Sequence, residues 1–244
     1  MTLSTTGRRR LVLLAAVVAC LVTARLGVWQ LDRAESKLSL QAAIQTAADA
    51  PPLSQAELAR DEDGLARQLH RQITLKGEWL DSATVYLDNR QMRGRPGFFV
   101  VTPLRLASGD AVLVQRGWLP RDAQDRSRVP SFTTQVGEVN VLARIEAAPS
   151  RLASLGQEAP GPIQQNIDVD EQSRALGLSL RPLSVQQLVA PGDQPDGLLR
   201  DWPQVSVDVH KHYGYAAQWF VFCAMIAGLY VWFQLLRPRR VRTS

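Results

Sequence analysis

Two long apolar stretches, one near each end of the 244-residue chain, constrain its fold more than any other feature. The first runs from Leu11 to Leu31 and contains one charged residue, Arg25. As a helix it is about 31 Å long, which is enough to cross the hydrocarbon core of a bilayer. The second, Tyr215 to Leu236, has no charged residue and carries aromatic side chains near both ends, as membrane-spanning helices do. The sequence therefore predicts two transmembrane helices.

The positive charge of the chain is concentrated just outside these two stretches. Seven of the 28 Lys and Arg residues lie at positions 8–10 and 237–242, and the region between them carries slightly more acidic than basic side chains. Because cationic flanks stay on the cytoplasmic side, we expect both termini in the cytoplasm and the central region outside it. A net charge of +5 that resides in two tails argues against a nucleic-acid-binding surface.

Two other interpretations of the first stretch are open. A cleaved signal peptide requires a small-x-small cleavage site, and none occurs around Ala24. The residues from Val17 to Cys20 resemble a lipobox, but the chain after them stays apolar. We therefore favour an uncleaved helix in a multi-pass protein. No Arg- and Ser-rich transit segment precedes this helix, which favours a bacterial inner membrane.

The region between the spans changes character along its length. It is helical in pattern from Arg33 to about Arg67, with a break at Pro51-Pro52, and then changes to strands. Strand patterns occur at 72–76, 83–87, 98–106, 111–118, 136–145 and 180–189, and a short helical pattern occurs at 166–178.

Short turns between neighbouring strands favour antiparallel pairing. The predicted fold class is a membrane-anchored α+β protein, in which two transmembrane helices flank an external, mainly antiparallel β-sheet or partial barrel. The predicted parts are a cytoplasmic tail at 1–10, a transmembrane helix at 11–31, a periplasmic β-rich domain at 32–211, a transmembrane helix at 212–236 and a cytoplasmic tail at 237–244.

The sequence contains no recognisable catalytic motif. The patterns G-x-S-x-G, H-E-x-x-H, G-x-G-x-x-G and the Walker loop are all missing. The two cysteines, Cys20 and Cys223, form neither a disulfide framework nor a C-x-x-C metal motif. A membrane-tethered hydrolase would need a nucleophile and a base, and no such set is visible. We predict that the protein is not an enzyme.

One of the three histidines occupies a distinctive position. His212 precedes the second apolar stretch, and Tyr215 and Trp219 follow it at helical spacings that place them on the same face. A neutral imidazole there could bind a metal or a haem iron, and a flat apolar ligand could lie against the aromatic rings. The alternative is an interfacial histidine without a ligand. His70 and His210 are interpreted as structural or surface residues.

The end of the first span carries a second stripe of candidate residues. Arg25, Trp29 and Arg33 recur every four residues, which places two guanidinium groups and an indole along one helix face. Arginine pairs well with carboxylates such as haem propionates. The alternative is that these arginines extend toward the membrane surface or pair with Asp32 and Glu35.

Four segments, in the same order, resemble the Surfeit locus protein 1 family over about residues 10–236. They are LGVWQLDRAESK (Leu26–Lys37), YLDNRQMRGRPGFFVVTPL (Tyr86–Leu104), VLVQRGWLP (Val112–Pro120) and HKHYGYAAQWF (His210–Phe220). Gln115 stands where that family often has Asn, and residues 147–200 carry no motif that we can match.

The two central segments also have a structural interpretation. Gly94 and Gly97 bracket an expected turn that contains Pro96, and Asn, Gly and Pro are turn-forming residues. Gly117, between two bulky residues, predicts a bulge or a close backbone approach. The segments could maintain the sheet or face a partner, and we favour the structural role.

The resemblance implies an assembly factor for haem–copper cytochrome c oxidase that binds haem a, transiently and non-covalently, and assists its insertion into subunit I. The family pattern H-x-x-Y-x-x-x-W places an axial ligand of the haem iron on His212. The other cofactor-binding candidates are Tyr215, Trp219, Arg25, Trp29 and Arg33.

Subunit I is the implied partner, with the lipid bilayer, haem a synthase and other oxidase assembly factors as further ones. The alternative function is a cofactor-free scaffold that stabilises an assembly intermediate of subunit I through the periplasmic domain.

Overall fold

The computed structural model describes residues 5–122, 124–125, 127–149, 151–152, 161–202 and 209–237. The chain divides into two compact units, Met1–Ala42 with Val205–Ser244, and Ala43–Gln204. We call the first the helix-pair unit and the second the barrel domain. Of the predicted cytoplasmic tails, residues 5–10 are helical, whereas residues 1–4 and 238–244 lie outside the described residues.

The described residues form four α-helices and seven strands. The helices are α1 (Thr5–Asp49), α2 (Glu62–Gln68), α3 (Val169–Leu176) and α4 (Val209–Tyr230). The strands are β1 (Gln72–Trp79), β2 (Val85–Met92), β3 (Arg95–Leu106), β4 (Ala111–Pro120), β5 (Glu138–Glu146), β6 (Ile163–Gln164) and β7 (Leu180–Gln187). Each predicted strand and the predicted short helix is therefore present, with ends that differ by a few residues.

The helix-pair unit contains both predicted spans. Helix α1 continues beyond Leu31 without interruption, because the following residues are rich in Ala, Leu, Gln and other strong helix formers. It ends just before Pro51, as the sequence predicts. Helix α4 passes into a π-helical segment, Val231–Leu236. Both helices are long and apolar enough to cross a membrane.

The strands of the barrel domain form a closed ring with an extension. Five strands pair in the order β1-β5-β7-β4-β3, and β1 then pairs with the end of β3 through Gly77 and Leu106, which closes the ring. Strand β3 is long enough to pair with β4 and β1 inside the ring and with β2 outside it. The predicted partial barrel flanked by two candidate membrane helices is confirmed.

The sheet is mixed, although most of its strand pairings are antiparallel as predicted. The parallel pairings join β4 to β7 and β2 to β6. Strand β7 runs parallel to β4 because the chain reaches it through a crossover that contains α3, and a parallel pair requires such a crossover. Helix α3 is fixed at its start by the Asp168 side chain and at its end by Gly177 in the left-handed conformation.

The interior of the barrel follows from the alternation of side chains along the strands. On β1, Ile73 and Leu75 point inward and are fully buried, whereas Thr74 and Lys76 are exposed. Strand β4 is buried over almost its whole length because neighbours cover it on both faces. Arg181 of β7 is also buried, where its Nε lies 2.6 Å from Asp110 Oδ2 and its Nη1 donates to the carbonyl oxygens of Leu58 and Ala59.

The turn between β2 and β3 differs from the prediction. We expected it between Gly94 and Gly97, but β2 continues through Met92 and Gly97 lies within β3. The turn consists of Arg93 and Gly94, both with positive φ (51° and 74°). Two successive residues with positive φ form a two-residue turn whose twist matches that of the two flanking strands. The hairpin therefore needs only Arg93 and Gly94 and not the longer turn expected between Gly94 and Gly97.

Candidate functional site

Helices α1 and α4 pack antiparallel along a seam of small residues. Such residues allow two helices in a membrane to approach closely. On α1 the buried positions include Thr23 and Gly27, and on α4 Ala216 is buried. A Cβ atom added to Gly27 would lie 2.8 Å from the ring of Phe220, so Gly27 allows this contact. Among the described residues, the contacts between the two helices include those of Cys20 with Cys223, Gly27 with Phe220, and Gln30 with His212.

His212 lies at one end of this seam, in the first turn of α4. Its Nδ1 is 2.7 Å from Oε1 of Gln30, which lies on α1 and is 182 residues away in sequence. Both side chains are partly buried. Among the residues that the structure describes, Nε2 of His212 has no hydrogen-bond partner. The imidazole is therefore held at one nitrogen and open at the other.

Tyr215 and Trp219 lie on the same side of α4 as His212. The Tyr215 side chain is 53% exposed, whereas Trp219 is half-buried and its ring meets Phe222 edge-on at a centroid distance of 5.8 Å. The two rings thus provide apolar surface on the same side of α4 as the imidazole, and about half of the Tyr215 surface is exposed. The structure thus brings together the three predicted residues of α4.

The predicted stripe on α1 does not converge on His212. Arg25, Trp29 and Arg33 are exposed, and Arg25 and Trp29 lie on the face of α1 directed away from the seam. Arg25 Nη1 lies 4.0 Å from Asp32 Oδ2, so the alternative of local pairing is confirmed for this arginine. The role of these three residues in ligand binding stays a prediction.

The opposite end of the seam is apolar. The thiols of Cys20 and Cys223 each donate to the other residue's carbonyl oxygen, at 3.6 Å and 3.5 Å. Beside them the two helices border a groove of about 350 Å³ with largely aliphatic walls. Cys223 is about 16 Å from His212 along α4, from the helical rise per residue. In the described residues, the hydrogen bond that joins two polar side chains across α1 and α4 thus lies at the His212 end.

The barrel domain uses its central signature residues for packing. The Arg116 guanidinium carbon lies 4.5 Å from the ring centre of Trp79 and 5.0 Å from that of Phe132. Arg116 Nη1 also donates to Thr134 Oγ1 at 2.9 Å. Burial lowers the pKa of Arg116, and the nearby carboxylates of Asp196 and Asp81 oppose that shift. This arginine joins the strands to the loop that covers them.

Gly117 and Trp118 complete this packing. The register of β3 against β4 shifts beside Gly117, and a Cβ atom there would lie 2.7 Å from Leu198 Cβ. The predicted bulge and close backbone approach are therefore both present. Trp118 is almost fully buried, and its Nε1 donates to the carbonyl oxygen of Arg90 at 2.9 Å. These contacts favour the structural interpretation of the signature.

Sequence reasoning missed one residue of the site. Gln30 belongs to the WQ pair of the first resembling segment, but we did not select it as a candidate. A signal for it exists, because Gln30 is the uncharged polar residue with the largest side chain in the first apolar stretch and shares a helix face with Thr23 and Gly27. Its contact with α4 could not be anticipated from one helix alone.

Comparison with known proteins places the chain among relatives of bacterial and eukaryotic origin. A SURF1-like protein of Rickettsia conorii is 23% identical over 212 residues, which is 84% of this chain and 84% of the relative. Surfeit locus protein 1 of Mus musculus is 26% identical over 235 residues, which is 86% of this chain and 70% of the relative. The cytochrome oxidase assembly protein SHY1 of Saccharomyces cerevisiae is 26% identical over 176 residues, 70% of this chain and 44% of the yeast protein.

The match to the family itself covers most of both units. It extends over residues 17–224 and so includes most of the first span, the whole barrel domain and the first half of the second span. His212, Gln30 and the central signature all lie within it. The chain belongs to the SURF1 family.

Proposed function

We propose that this protein assists assembly of cytochrome c oxidase by binding haem a at His212 and passing it to subunit I. Membership of the SURF1 family and the name of the yeast relative, an assembly protein for cytochrome oxidase, support the role in assembly. The observation that carries the haem site is the partly buried imidazole of His212, whose Nε2 has no partner among the described residues and which shares a helix face with Tyr215 and Trp219.

The side chains at this site have the chemistry that haem a requires. A neutral imidazole nitrogen is a common axial ligand of haem iron, and aromatic rings beside it match the flat apolar macrocycle. The described residues contain no group of three or more His, Cys, Asp or Glu side chains that could hold a bare metal ion. The single imidazole of His212 therefore suits haem, in which the porphyrin already supplies most of the ligands of the iron.

The arginines of α1 are proposed partners of the haem propionates. Guanidinium groups pair with carboxylates in well-defined geometry, and Arg25 and Arg33 are exposed and free to change rotamer. Arg25 would have to leave Asp32 and reach round α1, because it lies on the far side of the helix from the seam. Trp29, which is 50% exposed, is proposed as an apolar contact on the same path.

The proposed setting is a bacterial inner membrane. The arginine clusters at the two ends of the chain favour cytoplasmic termini and a periplasmic barrel domain. His212 would then lie at the periplasmic surface of the bilayer. Haem a synthase and other assembly factors are proposed as further partners, and the protein acts by binding and transfer without covalent chemistry.

A second candidate function is a cofactor-free scaffold for subunit I. The observation in its favour is that Ala43–Gln204 forms a compact unit with its own core, so the barrel domain can present a surface to a partner independently of the helix pair. In this case the His212 region would contribute anchoring alone.

Absorption spectroscopy of the purified protein separates the two functions. The protein is co-expressed with the enzymes of haem a synthesis, purified in detergent and compared with His212→Ala and, as the matched control, His210→Ala. We expect bound haem a in the wild type and in His210→Ala, because His210 is exposed and two residues away, and loss of haem in His212→Ala.

Equal haem content in all three proteins would refute the assignment of His212. Haem-free wild-type protein that still co-purifies with subunit I would favour the scaffold. Loss of haem in both variants would point to a general disturbance of the helix end, and circular dichroism of the variants checks for it.

A further inference from the structure

We propose that Gln30 is the positioning residue of His212. Its side-chain oxygen accepts a hydrogen bond from Nδ1–H of His212, so that Nε2 is the nitrogen that can bind iron. The inference rests on the proposed haem site and adds a specific residue and atom to it. In this proposal Gln30 makes no contact with haem a and acts through His212.

The contact itself determines which nitrogen is free. Gln30 Oε1 lies 2.7 Å from His212 Nδ1, a short hydrogen-bond distance. An amide oxygen can only accept, so Nδ1 must donate. A neutral imidazole that carries its proton on Nδ1 has its lone pair on Nε2. Histidines that bind metals usually donate their other ring N–H to an acceptor of the protein, which fixes both tautomer and ring orientation.

The sequence of α1 makes Gln30 the residue suited to this task. The seam residues one turn before and after it, Gly27 and Ala34, are buried and have no polar side-chain atoms. The amide of Gln30 is therefore the polar group that α1 presents at this level of the seam. The Gln30 amide is partly buried, and an amide removed from water without a partner would raise the free energy of the folded state, so the bond to His212 also stabilises the packing of the two helices.

The side-chain oxygen of Gln30 is an uncharged acceptor, so two substitutions should affect the imidazole of His212 in opposite ways. A carboxylate in Gln30→Glu is a stronger acceptor, which increases electron donation from the ring and favours ferric iron. A methyl group in Gln30→Leu accepts nothing, so the ring is free to rotate and to adopt the other tautomer. Gln41→Leu is the matched control, since Gln41 is exposed on the same helix.

Nitrogen NMR of the haem-free protein tests the tautomer directly. Protein labelled with ¹⁵N-histidine is purified in detergent and measured at alkaline pH, where imidazole is neutral. The His212 signals are identified by their loss in His212→Ala. We expect the Nδ1-protonated form in the wild type, in Gln30→Glu and in Gln41→Leu, and a shift toward the Nε2-protonated form in Gln30→Leu.

Haem a titration of the same proteins provides the second readout. We expect the affinity of Gln30→Leu to fall by about 10- to 100-fold, which is typical for loss of such a supporting residue. Gln30→Glu should bind haem as the wild type does, with a lower reduction potential of the bound haem. Recovery by Glu shows that the loss in Leu does not result from misfolding.

The two experiments distinguish a failure of this inference from a failure of the proposed haem site. An Nε2-protonated His212 in the wild type, or an unchanged tautomer in Gln30→Leu, would overturn the role of Gln30 even if haem binds through His212. Conversely, an Nδ1-protonated His212 in a protein that binds no haem would support the positioning of the ring and refute the proposed function.

Discussion

The helix-pair unit and the barrel domain keep their apolar residues in opposite places. In the helix pair, large apolar side chains such as Leu21 and Leu235 are exposed by 65% and 68%, and the buried seam consists mainly of small residues. In the barrel domain the large apolar side chains, such as Leu113 and Phe98, are fully buried. The exposed apolar surface of the helix pair fits a surrounding bilayer, whereas the barrel domain is stabilised by its own core.

Because of this difference, the residues proposed to bind haem and the residues that stabilise the fold lie in different units. The ligand candidates Tyr215 and Trp29 lie on exposed surfaces of the helix pair, where their replacement removes little packing. The signature residues Arg116 and Trp118 lie inside the barrel domain, where replacement removes many contacts. Substitutions in the two units should therefore give distinct results, and the following predictions test that separation.

The largest effect is expected from Trp118→Ala in the barrel domain. The change removes an almost fully buried indole and its hydrogen bond to Arg90, so the free energy of unfolding should fall by about 3–5 kcal/mol. Urea unfolding of the full chain in detergent, followed by circular dichroism, measures the change. Trp29→Ala is the matched control and should alter stability by less than about 0.5 kcal/mol, because Trp29 is 50% exposed. Equal losses in both variants would contradict the comparison.

A smaller, pH-dependent effect is expected from Asp110→Asn. Burial raises the pKa of Asp110, but hydrogen bonds from Ser108 and Arg181 and the charge of Arg181 outweigh it, so the pKa is lowered overall. A carboxylate with a lowered pKa stabilises the fold above its unfolded-state pKa, and that stability is lost as the pH falls through the folded-state value. At pH 7 the variant should be less stable by about 2 kcal/mol, since it loses a charge-assisted hydrogen bond.

The pH series provides the control for this effect. The difference between wild type and Asp110→Asn should shrink as the pH falls below about 4, because a carboxyl group then takes up a proton in the unfolded chain first and, at still lower pH, in the folded protein, where the pKa of Asp110 is lowered. Glu78→Gln, an exposed change on β1, should change stability little throughout. A difference that stays constant down to pH 2 would rule out ionised Asp110 as the cause.

The smallest effect on stability, and a selective effect on binding, is expected from Gly27→Leu. The added side chain would collide with Phe220 and separate the two helices near Gln30 and His212. Haem affinity should fall about tenfold, as for loss of a residue that supports a ligand, while unfolding of the barrel domain stays unchanged. Faster maleimide labelling of Cys20 and Cys223 measures the separation without haem.

Gly228→Leu is the matched control for this change. Gly228 lies on α4 with open space around it, so the same side chain should be accepted without effect on labelling or haem binding. If Gly27→Leu destabilised the barrel domain, the two units would not be energetically separate.

The sequence by itself determined the elements of this protein. Periodicity and turn residues are local, so the strands at 72–76 and 111–118 and the helix end before Pro51 could be predicted from neighbouring residues alone. The two apolar stretches likewise follow from length and composition. His212, Tyr215 and Trp219 share a helix face for the same reason, because spacing within one helix fixes relative direction.

Tertiary structure alone decided which of these elements meet. The pairing of β1 with the end of β3, the parallel alignment of β7 with β4 and the contact of Gln30 with His212 join residues that are distant in sequence. Such contacts depend on the register and packing of whole elements, and no local pattern encodes them. The sequence analysis selects Arg25 and His212 as candidates for one site, but Arg25 lies on the side of α1 away from α4. A pattern within one helix shows which residues share a face, whereas packing decides which face the other helix covers.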